Sequence, residues 1–221
     1  MRAGNQVYST PSDIPEIIPV FPLSGALLLP GGDMPLNIFE PRYKAMTDHA
    51  MKGNRLIGMI QPSLAGGMCE NGPSLAQTGC IGRITGFQET GDGRYLISLS
   101  GICRFSIVEE TGMQDGFRLA RVRPNEADLQ DRCLQGHVDR ERLLETLRRF
   151  LDQNNMRADW DSIEDTDDCT LVTALCMMSP YGPAEKQALL EAGTLTERAE
   201  TLIALTDMLL AGDGDENGTL Q

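Results

Sequence analysis

Apolar and polar side chains alternate along part of the first half of the chain. Between residues 94 and 107 the odd positions are mostly apolar, and the even positions include Ser98, Ser100 and Ser106. A period of two predicts a β-strand with one buried face. The run is longer than a usual strand of about 3 to 10 residues, so we expect a bend or bulge near Gly101.

Further short apolar runs, separated by glycine and proline, predict more strands. Residues 91–93, Gly-Asp-Gly, form a turn sequence that should join the long strand to a strand at residues 81–88 as a hairpin. Short strands separated by glycine and proline favour a barrel or a sandwich. The other predicted strands cover residues 17–21, 27–29, 36–39, 56–61 and 117–123.

One helix is predicted inside this β-rich half. It should begin after Glu40, because Pro41 is tolerated in a first helical turn. Tyr43 and Ala50 would share one face of that helix. Gly53 should end it.

Helical spacing of apolar residues replaces alternation in the second half. Thr194 and Glu197 have the spacing of a capping box, in which each side chain accepts a hydrogen bond from the other residue's backbone N–H. A helix should therefore start there and end at Gly212. The four predicted helices cover residues 134–151, 171–178, 184–192 and 194–212.

The change of pattern divides the chain near residues 124–129. We therefore expect an α+β protein with a β-rich subdomain at residues 14–125 and a helical subdomain at residues 126–211. Residues 159–168 are interpreted as an acidic loop. The ends, residues 1–13 and 212–221, are expected to be flexible.

Composition and charge narrow the function classes. The 221 residues are 41% apolar and 23% charged, which is typical of a soluble globular protein whose core needs no disulfide or metal. The net charge is −13, and residues 126–221, with 21 acidic and 8 basic side chains, carry the whole excess. This charge disfavours binding to nucleic acid or to an anionic membrane surface. The longest aliphatic run, residues 26–29, is far shorter than the roughly 20 residues of a membrane-spanning helix.

The cysteines and the N-terminus favour the cytoplasm. The six cysteines include no Cys-x-x-Cys pair, so we expect reduced thiols. The first 13 residues are polar, and three prolines interrupt the apolar stretch that follows. We therefore predict a cytoplasmic protein with no secretory signal.

The sequence offers little catalytic or metal-binding chemistry. His49 and His137 are the two histidines, and the cysteines have no ligand-like spacing, so we expect neither a metal nor a cofactor. Neither a phosphate-binding loop nor a Gly-x-Ser-x-Gly motif occurs. One alternative is an unrecognised hydrolase with Cys69 or Ser74 beside a histidine, although nothing in the sequence marks the base.

Three motifs follow one another in a distinctive order. They are Phe21-Pro22-Leu23, Phe39-Glu40-Pro41-Arg42-Tyr43 and Ser179-Pro180-Tyr181-Gly182-Pro183. This order resembles the substrate-binding N-terminal domain of Lon proteases, over about residues 14 to 210. The resemblance implies a PUA-like β pseudo-barrel followed by a helical bundle. A full Lon protease adds an ATPase module and a Ser-Lys peptidase, which this sequence lacks, so the resemblance implies a stand-alone, non-catalytic relative.

The resemblance also implies a function and a set of candidate residues. It implies recognition of unfolded or extended polypeptide or of a partner protein, as an adaptor in protein quality control. Apolar motif residues also suit a barrel core, Glu40 and Arg42 could brace the first helix, and methionines adapt to varied partners. The peptide-binding candidates are Phe21, Pro22, Leu23, Met34, Phe39, Glu40, Arg42, Tyr43, Met59 and Met68.

A second binding function stays open because PUA-like folds elsewhere bind RNA. The acidic net charge argues against it. The arginines that could serve are Arg83, Arg94, Arg104, Arg118, Arg121 and Arg123.

Overall fold

The computed structural model describes residues 1–130 and 136–216, and it shows an α+β fold with most strands before most helices. The strands are β1 Arg2–Ala3, β2 Gln6–Val7, β3 Ile17–Pro22, β4 Asp33–Ile38, β5 Leu56–Ile60, β6 Met68–Cys69, β7 Gly72–Pro73, β8 Thr78–Glu89, β9 Tyr95–Gln114 and β10 Phe117–Pro124. The α-helices are α1 Pro41–Lys52, α2 Arg140–Gln153, α3 Trp160–Asp165, α4 Asp168–Met178, α5 Pro183–Glu191 and α6 Leu195–Glu216.

Six strands form the main sheet, in the order β10-β3-β5-β8-β9-β4. Strand β9 also pairs with β10, which closes five of the strands into a ring. All pairs are antiparallel except β3 with β5. Strand β4 pairs with β9 on one side, and its other edge has no partner strand in the described part of the chain.

The predicted irregularity in the long strand is confirmed. The pairing of β8 with β9 shifts by one residue between Ile81 and Gly82, whose partners are Cys103 and Gly101. The 20 residues of β9 can therefore bend and pair with β8, β4 and β10 in turn.

Residues 27–29, predicted to be a strand, are not one. They form an irregular segment in which all three leucines are buried in the core. Their apolar character indicates burial, whereas a strand also requires a neighbouring backbone with unpaired hydrogen-bonding groups. The strand predicted at residues 36–39 instead begins at Asp33 and ends at Ile38.

The first residues form a hairpin instead of the expected flexible segment. Strands β1 and β2 pair with each other, and Ala3 and Tyr8 are buried. The N-terminal ammonium group of Met1 donates hydrogen bonds to the carbonyl oxygens of Tyr8 at 2.8 Å and Leu129 at 3.0 Å. These contacts hold the N-terminus against the end of the β-rich half.

The helices of the second half follow the prediction in part. The capping box is confirmed, because the Glu197 N–H donates to Thr194 Oγ1 at 3.1 Å and the Thr194 N–H donates to Glu197 Oε2 at 3.1 Å. Helix α5 begins at Pro183, one residue before its predicted start. Helix α6 passes Gly212, its predicted end, and continues to Glu216; the rest of the predicted flexible tail lies outside the described residues.

Two other segments differ from the prediction. Helix α2 begins at Arg140 instead of residue 134, and residues 134–135 of the first predicted helix lie outside the described residues. The predicted acidic loop contains the short helix α3. Its start is capped by Asp159, whose carboxylate accepts the Ser162 N–H at 3.3 Å, so an acidic residue there is a helix signal.

Polar contacts join the two halves. The Arg104 guanidinium on β9 donates to Asp128 Oδ1 at 2.7 Å and to the Gly193 carbonyl oxygen at 3.0 Å. The Lys186 ammonium group on α5 donates to the Gly25 carbonyl oxygen at 2.9 Å. One apolar cluster also includes buried residues of both halves. The two halves therefore share this apolar cluster.

Candidate functional site

A cleft lies where β3 and β4 end and α1 begins. We call this cleft, of about 260 Å³, the first cavity. Its lining includes seven of the ten candidate residues from the sequence. They are Phe21, Pro22, Leu23, Phe39, Glu40, Arg42 and Tyr43.

Local sequence explains why these residues converge. Strand β3 ends at Pro22, and strand β4 ends at Ile38 just before the helix motif. Glu40 has the extended backbone of an N-cap and Pro41 occupies the first turn of α1. The chain therefore turns sharply at Phe39, whose side chain is left 63% exposed.

Glu40, Arg42 and Tyr43 contact one another at the start of α1. Arg42 Nη2 lies 2.8 Å from Glu40 Oε2, and both side chains are about half exposed. The Arg42 guanidinium carbon lies 4.6 Å from the centre of the Tyr43 ring, and that ring packs on Phe21 at 4.2 Å between centroids. The exposed ion pair contributes about 0–1 kcal/mol, and Tyr43 is held by both the Phe21 ring and the Arg42 guanidinium.

A second, smaller cavity of about 170 Å³ also has Tyr43 in its lining; we call it the second cavity. Pro22, Arg42 and Tyr43 line both cavities, so the two cavities adjoin each other. The remaining lining of the second cavity is Pro62, Asn71, Pro73, Met113, Gly116, Phe117 and Arg118.

Arg118 is the buried charge of the second cavity, with a side chain only 6% exposed. Its Nη1 donates to the Pro73 carbonyl oxygen at 2.8 Å and lies 3.4 Å from Glu110 Oε2. Strand β7 covers it, and Gly72 permits this approach, because a Cβ there would lie 2.6 Å from Arg118 Nη2.

The Tyr43 hydroxyl lies among three charged groups. Burial raises the pKa of Tyr43 above its ordinary value, and Glu40 adds to the rise, whereas Arg42 and Arg118 lower it. A buried tyrosine hydroxyl usually finds a hydrogen-bond partner. The part of the chain that the structure describes provides none.

The three candidate methionines lie apart from both cavities. Met59 is 4% exposed and belongs to the core, so it is wrong as a surface contact for a peptide. Met34 packs partly buried against that core, and Met68 is 78% exposed on β6. Met113, on β9, lines the second cavity instead.

The second cavity could not be found from local motifs. Asn71, Met113 and Arg118 come from separate segments that meet only when the sheet closes. In the sequence, Arg118 is one of several arginines in a strand pattern, and nothing distinguishes it from Arg121.

The hydrolase alternative gains no support from the described residues. The Cys69 thiol contacts the Gly72 carbonyl oxygen at 3.2 Å and Glu110 Oε1 at 3.9 Å, whereas the His49 ring contacts the Gln114 amide at 3.2 Å. No nucleophile and histidine pair forms among them. Within those residues, three or more His, Cys, Asp or Glu side chains do not gather in a way that could hold a metal ion.

The arginines proposed for RNA do not form one exposed patch. Arg104 and Arg118 are both buried. Arg83 donates to the Asn54 carbonyl oxygen at 2.7 Å. The charge available to a phosphate backbone is therefore smaller than the sequence suggested.

The buried thiols should resist modification. Burial raises the pKa of Cys103 from its ordinary value of 9.0 to about 12, with a smaller contribution from Asp128, and burial likewise raises the pKa of Cys176 to about 12. We expect iodoacetamide at pH 8 to label the exposed Cys69 well before either buried thiol, as measured by peptide mass spectrometry.

The same shifts predict a pH dependence of stability. Because the folded-state pKa exceeds the unfolded value, each buried thiol stabilises the fold fully below pH 9.0 and loses that contribution as the pH rises toward about 12. Labelling of Cys103 as fast as Cys69 in the folded protein would contradict both expectations.

The chain is similar to known proteins over most of its length. The family model of the ATP-dependent protease La (LON) substrate-binding domain matches residues 17–207. The Lon protease of Parabacteroides distasonis is 28% identical over 191 residues, which cover 85% of this chain and 23% of that protein. The Lon protease of Anaeromyxobacter dehalogenans is 24% identical over 147 residues, covering 66% of this chain and 17% of that protein. The aligned parts therefore span less than a quarter of these curated relatives.

The fold is also similar to a solved structure. The crystal structure of a Lon N-terminal domain protein from Xanthomonas campestris matches with a TM-score of 0.61. The match covers 85% of this chain and 97% of that chain at 23% identity, which shows a likeness of fold. Among the described helices, none combines the length and the apolar character needed to cross a membrane.

Proposed function

Because the chain belongs to the family of Lon protease substrate-binding domains, we propose that it is a binding module for unfolded or extended polypeptide, either a substrate or a segment of a partner protein. The surface that we assign to this function comprises the first and second cavities. The observation that carries the proposal is Phe39, a large aromatic side chain left 63% exposed on the rim of the first cavity. An exposed apolar group beside a cleft is typical of an interaction site.

The adjacent edge of β4 supports an extended ligand. Gly101 donates its N–H to the Gly32 carbonyl oxygen at 2.8 Å, and Asp33 then pairs with Ser100. Hydrogen-bonded pairs alternate with non-hydrogen-bonded pairs in antiparallel strands, so Asp33, Pro35 and Asn37 direct their backbone groups away from β9. All three are exposed.

Pro35 fits this arrangement because it lacks an N–H and stands where no bond to β9 is needed. The N–H groups of Asp33 and Asn37 and the carbonyl oxygens of all three residues remain available to another strand. An extended polypeptide added there would continue directly into the first cavity, which Asn37 also lines.

We also propose a barrel type, a cellular compartment and a biological role for the chain. The closed ring of strands followed by helices supports a PUA-like barrel with a helical subdomain. The five described cysteines are not joined by disulfides, which supports a reducing compartment such as the cytoplasm. Similarity to a substrate-binding domain supports a non-catalytic role, as an adaptor in protein quality control.

Replacing Phe39 with serine should weaken polypeptide binding by about tenfold, because burying a large apolar side chain stabilises a complex by about 1.5–3 kcal/mol. Fluorescence anisotropy of a labelled, permanently unfolded polypeptide measures the Kd, which we expect in the micromolar range for the unmodified chain.

The matched control is Val108→Ser, which removes another exposed apolar side chain, on β9 and outside both cavities. The Kd of the Val108→Ser variant should stay within about twofold of the Kd of the unmodified chain, since the Val108 side chain would not be buried against the bound polypeptide. Equal losses from the two substitutions would show nonspecific adhesion and contradict the assignment of this surface.

A further inference from the structure

Arg118 has hydrogen-bonding capacity that the protein does not use. A guanidinium group carries five N–H donors. Of its three nitrogens, Nη1 contacts Pro73 and Glu110, whereas Nη2 and Nε have no hydrogen-bond acceptor among the described residues. The side chain is 6% exposed and lines the second cavity. A buried donor without an acceptor is unfavourable and points to an acceptor supplied by a ligand.

Further donors surround the same cavity. The Tyr43 hydroxyl also has no hydrogen-bond partner among the residues that the structure describes, and the Asn71 side chain lines the cavity. Two positive charges, Arg42 and Arg118, and one negative charge, Glu40, act on the Tyr43 hydroxyl. Glu110 also faces Arg118 at 3.4 Å, so these four charges balance, and it is the unused donors of the cavity that favour a ligand group rich in acceptor oxygens.

The walls of the second cavity are largely apolar. Pro22, Pro62, Pro73, Met113 and Phe117 line it beside these polar groups. Apolar walls limit the access of water, and hydrogen bonds to charged groups are stronger in such surroundings than in bulk water.

We propose, resting on the proposed function, that the second cavity binds a carboxylate of the polypeptide whose neighbouring apolar residues occupy the first cavity. A carboxylate offers two oxygens in one plane, which suits the planar edge of the Arg118 guanidinium. The hydroxyl of Tyr43, a residue that lines both cavities, donates to the same group. Glu110 contacts Arg118 through Nη1, so this ion pair leaves Nη2 and Nε for the ligand.

Two sources can supply this carboxylate: the free C-terminus of the polypeptide, or an aspartate or glutamate side chain. Four labelled peptides of one apolar-rich sequence distinguish them. The first two end in a free carboxylate or in an amide. The other two are amidated and carry either glutamate or glutamine near the end.

Fluorescence anisotropy on the full chain measures the ratio of Kd values within each peptide pair. We expect the carboxylate form of at least one pair to bind about tenfold more tightly, since hydrogen bonds to charged groups are about twice as strong as neutral ones. A gain in the first pair identifies a C-terminus as the ligand, and a gain in the second pair identifies an acidic side chain.

Substitutions test whether the preference arises in the second cavity. Arg118→Gln and Tyr43→Phe should each reduce the ratio toward one. Tyr43→Phe keeps the ring that packs on Phe21, so it remains informative if Arg118→Gln destabilises the fold. Arg121→Gln, which removes a half-exposed arginine outside the cavity, should leave the ratio unchanged.

Different results would overturn the carboxylate site and the proposed binding of polypeptide. Equal affinities within both pairs would overturn the carboxylate site and leave polypeptide binding in place. An undiminished ratio in both Arg118→Gln and Tyr43→Phe would place the carboxylate elsewhere and also overturn it. No binding of any peptide would overturn the proposed function, and the carboxylate site with it.

Discussion

Replacing Asp128 with alanine is expected to lower the free energy of unfolding by about 3–5 kcal/mol, because it leaves a buried guanidinium without its counter-ion. The Arg104 and Asp128 side chains are each 5% exposed. Asp128 accepts three hydrogen bonds from Arg104: from Nη2 at 2.7 Å, from Nε at 2.8 Å and from the backbone N–H at 2.8 Å.

Electrostatics reinforce this expectation. Burial alone would lower the pKa of Arg104, but the hydrogen bond and charge of Asp128 outweigh it and raise the pKa. The variant loses both contributions of Asp128, yet Arg104 stays charged there because a guanidinium group is effectively always protonated in proteins. Its remaining acceptors are the carbonyl oxygens of Leu190, in the last turn of α5, and of Ala192 and Gly193 after it, which carry no full charge to replace the carboxylate.

Urea denaturation monitored by circular dichroism measures the loss. The control is Asp207→Ala, which removes the exposed partner of Arg149 at 3.1 Å and should cost less than about 1 kcal/mol. A similar loss of unfolding free energy in both variants would show that the buried pair stabilises the fold no more than the exposed pair does. Because Arg104 joins β9 to the segment after α5, we also expect one cooperative transition in the unmodified chain.

Much of the fold could be predicted because its signals are local. Period-two alternation located most of β9, which has one face against the core, and the Gly-Asp-Gly turn located β8 as its hairpin partner. Pro41 and Gly53 marked the ends of α1, and Thr194 marked the start of α6, because helix ends require specific partners for their backbone groups.

The sequence predictions that differ from the structure share a different physical cause. Leu27, Leu28 and Leu29 are apolar because they fill the core, yet no strand pairs with them. The N-terminal hairpin is held by contacts with Leu129, far away in sequence. Such contacts depend on the closed fold, and no periodicity in the segment records them.

The candidate site likewise has one part built from local motifs and one part built from segments that are distant in sequence. The first cavity is built from two short motifs that end β3 and start α1, so residues adjacent in sequence are adjacent in space. The second cavity combines Asn71, Met113 and Arg118 with Pro62, and their meeting depends on the closure of β9 on β10. Sequence motifs therefore indicated the residues of the first cavity, including Glu40 and Arg42, and gave no sign of Arg118 in the second.

Replacing Gly101 with alanine is expected to lower the free energy of unfolding by about 3 kcal/mol, at the upper end of the usual cost of overpacking. A Cβ at this position would overlap the Leu29 carbonyl oxygen and approach the Leu29 carbonyl carbon to 2.8 Å. The strand cannot easily retreat, because Gly101 donates its N–H to Gly32 at 2.8 Å and accepts the Gly31 N–H at 2.8 Å.

The matched control is Gly91→Ala, in the turn between β8 and β9, where an added Cβ would meet no atom within 4 Å. Its effect should be within about 1 kcal/mol, since alanine also restricts the unfolded chain. Urea midpoints of the two variants measure the difference. A Gly101→Ala variant as stable as the Gly91→Ala variant would mean that the buried leucine segment yields to β9, and that the bulge beside Gly101 does not fix the path of the chain into β4.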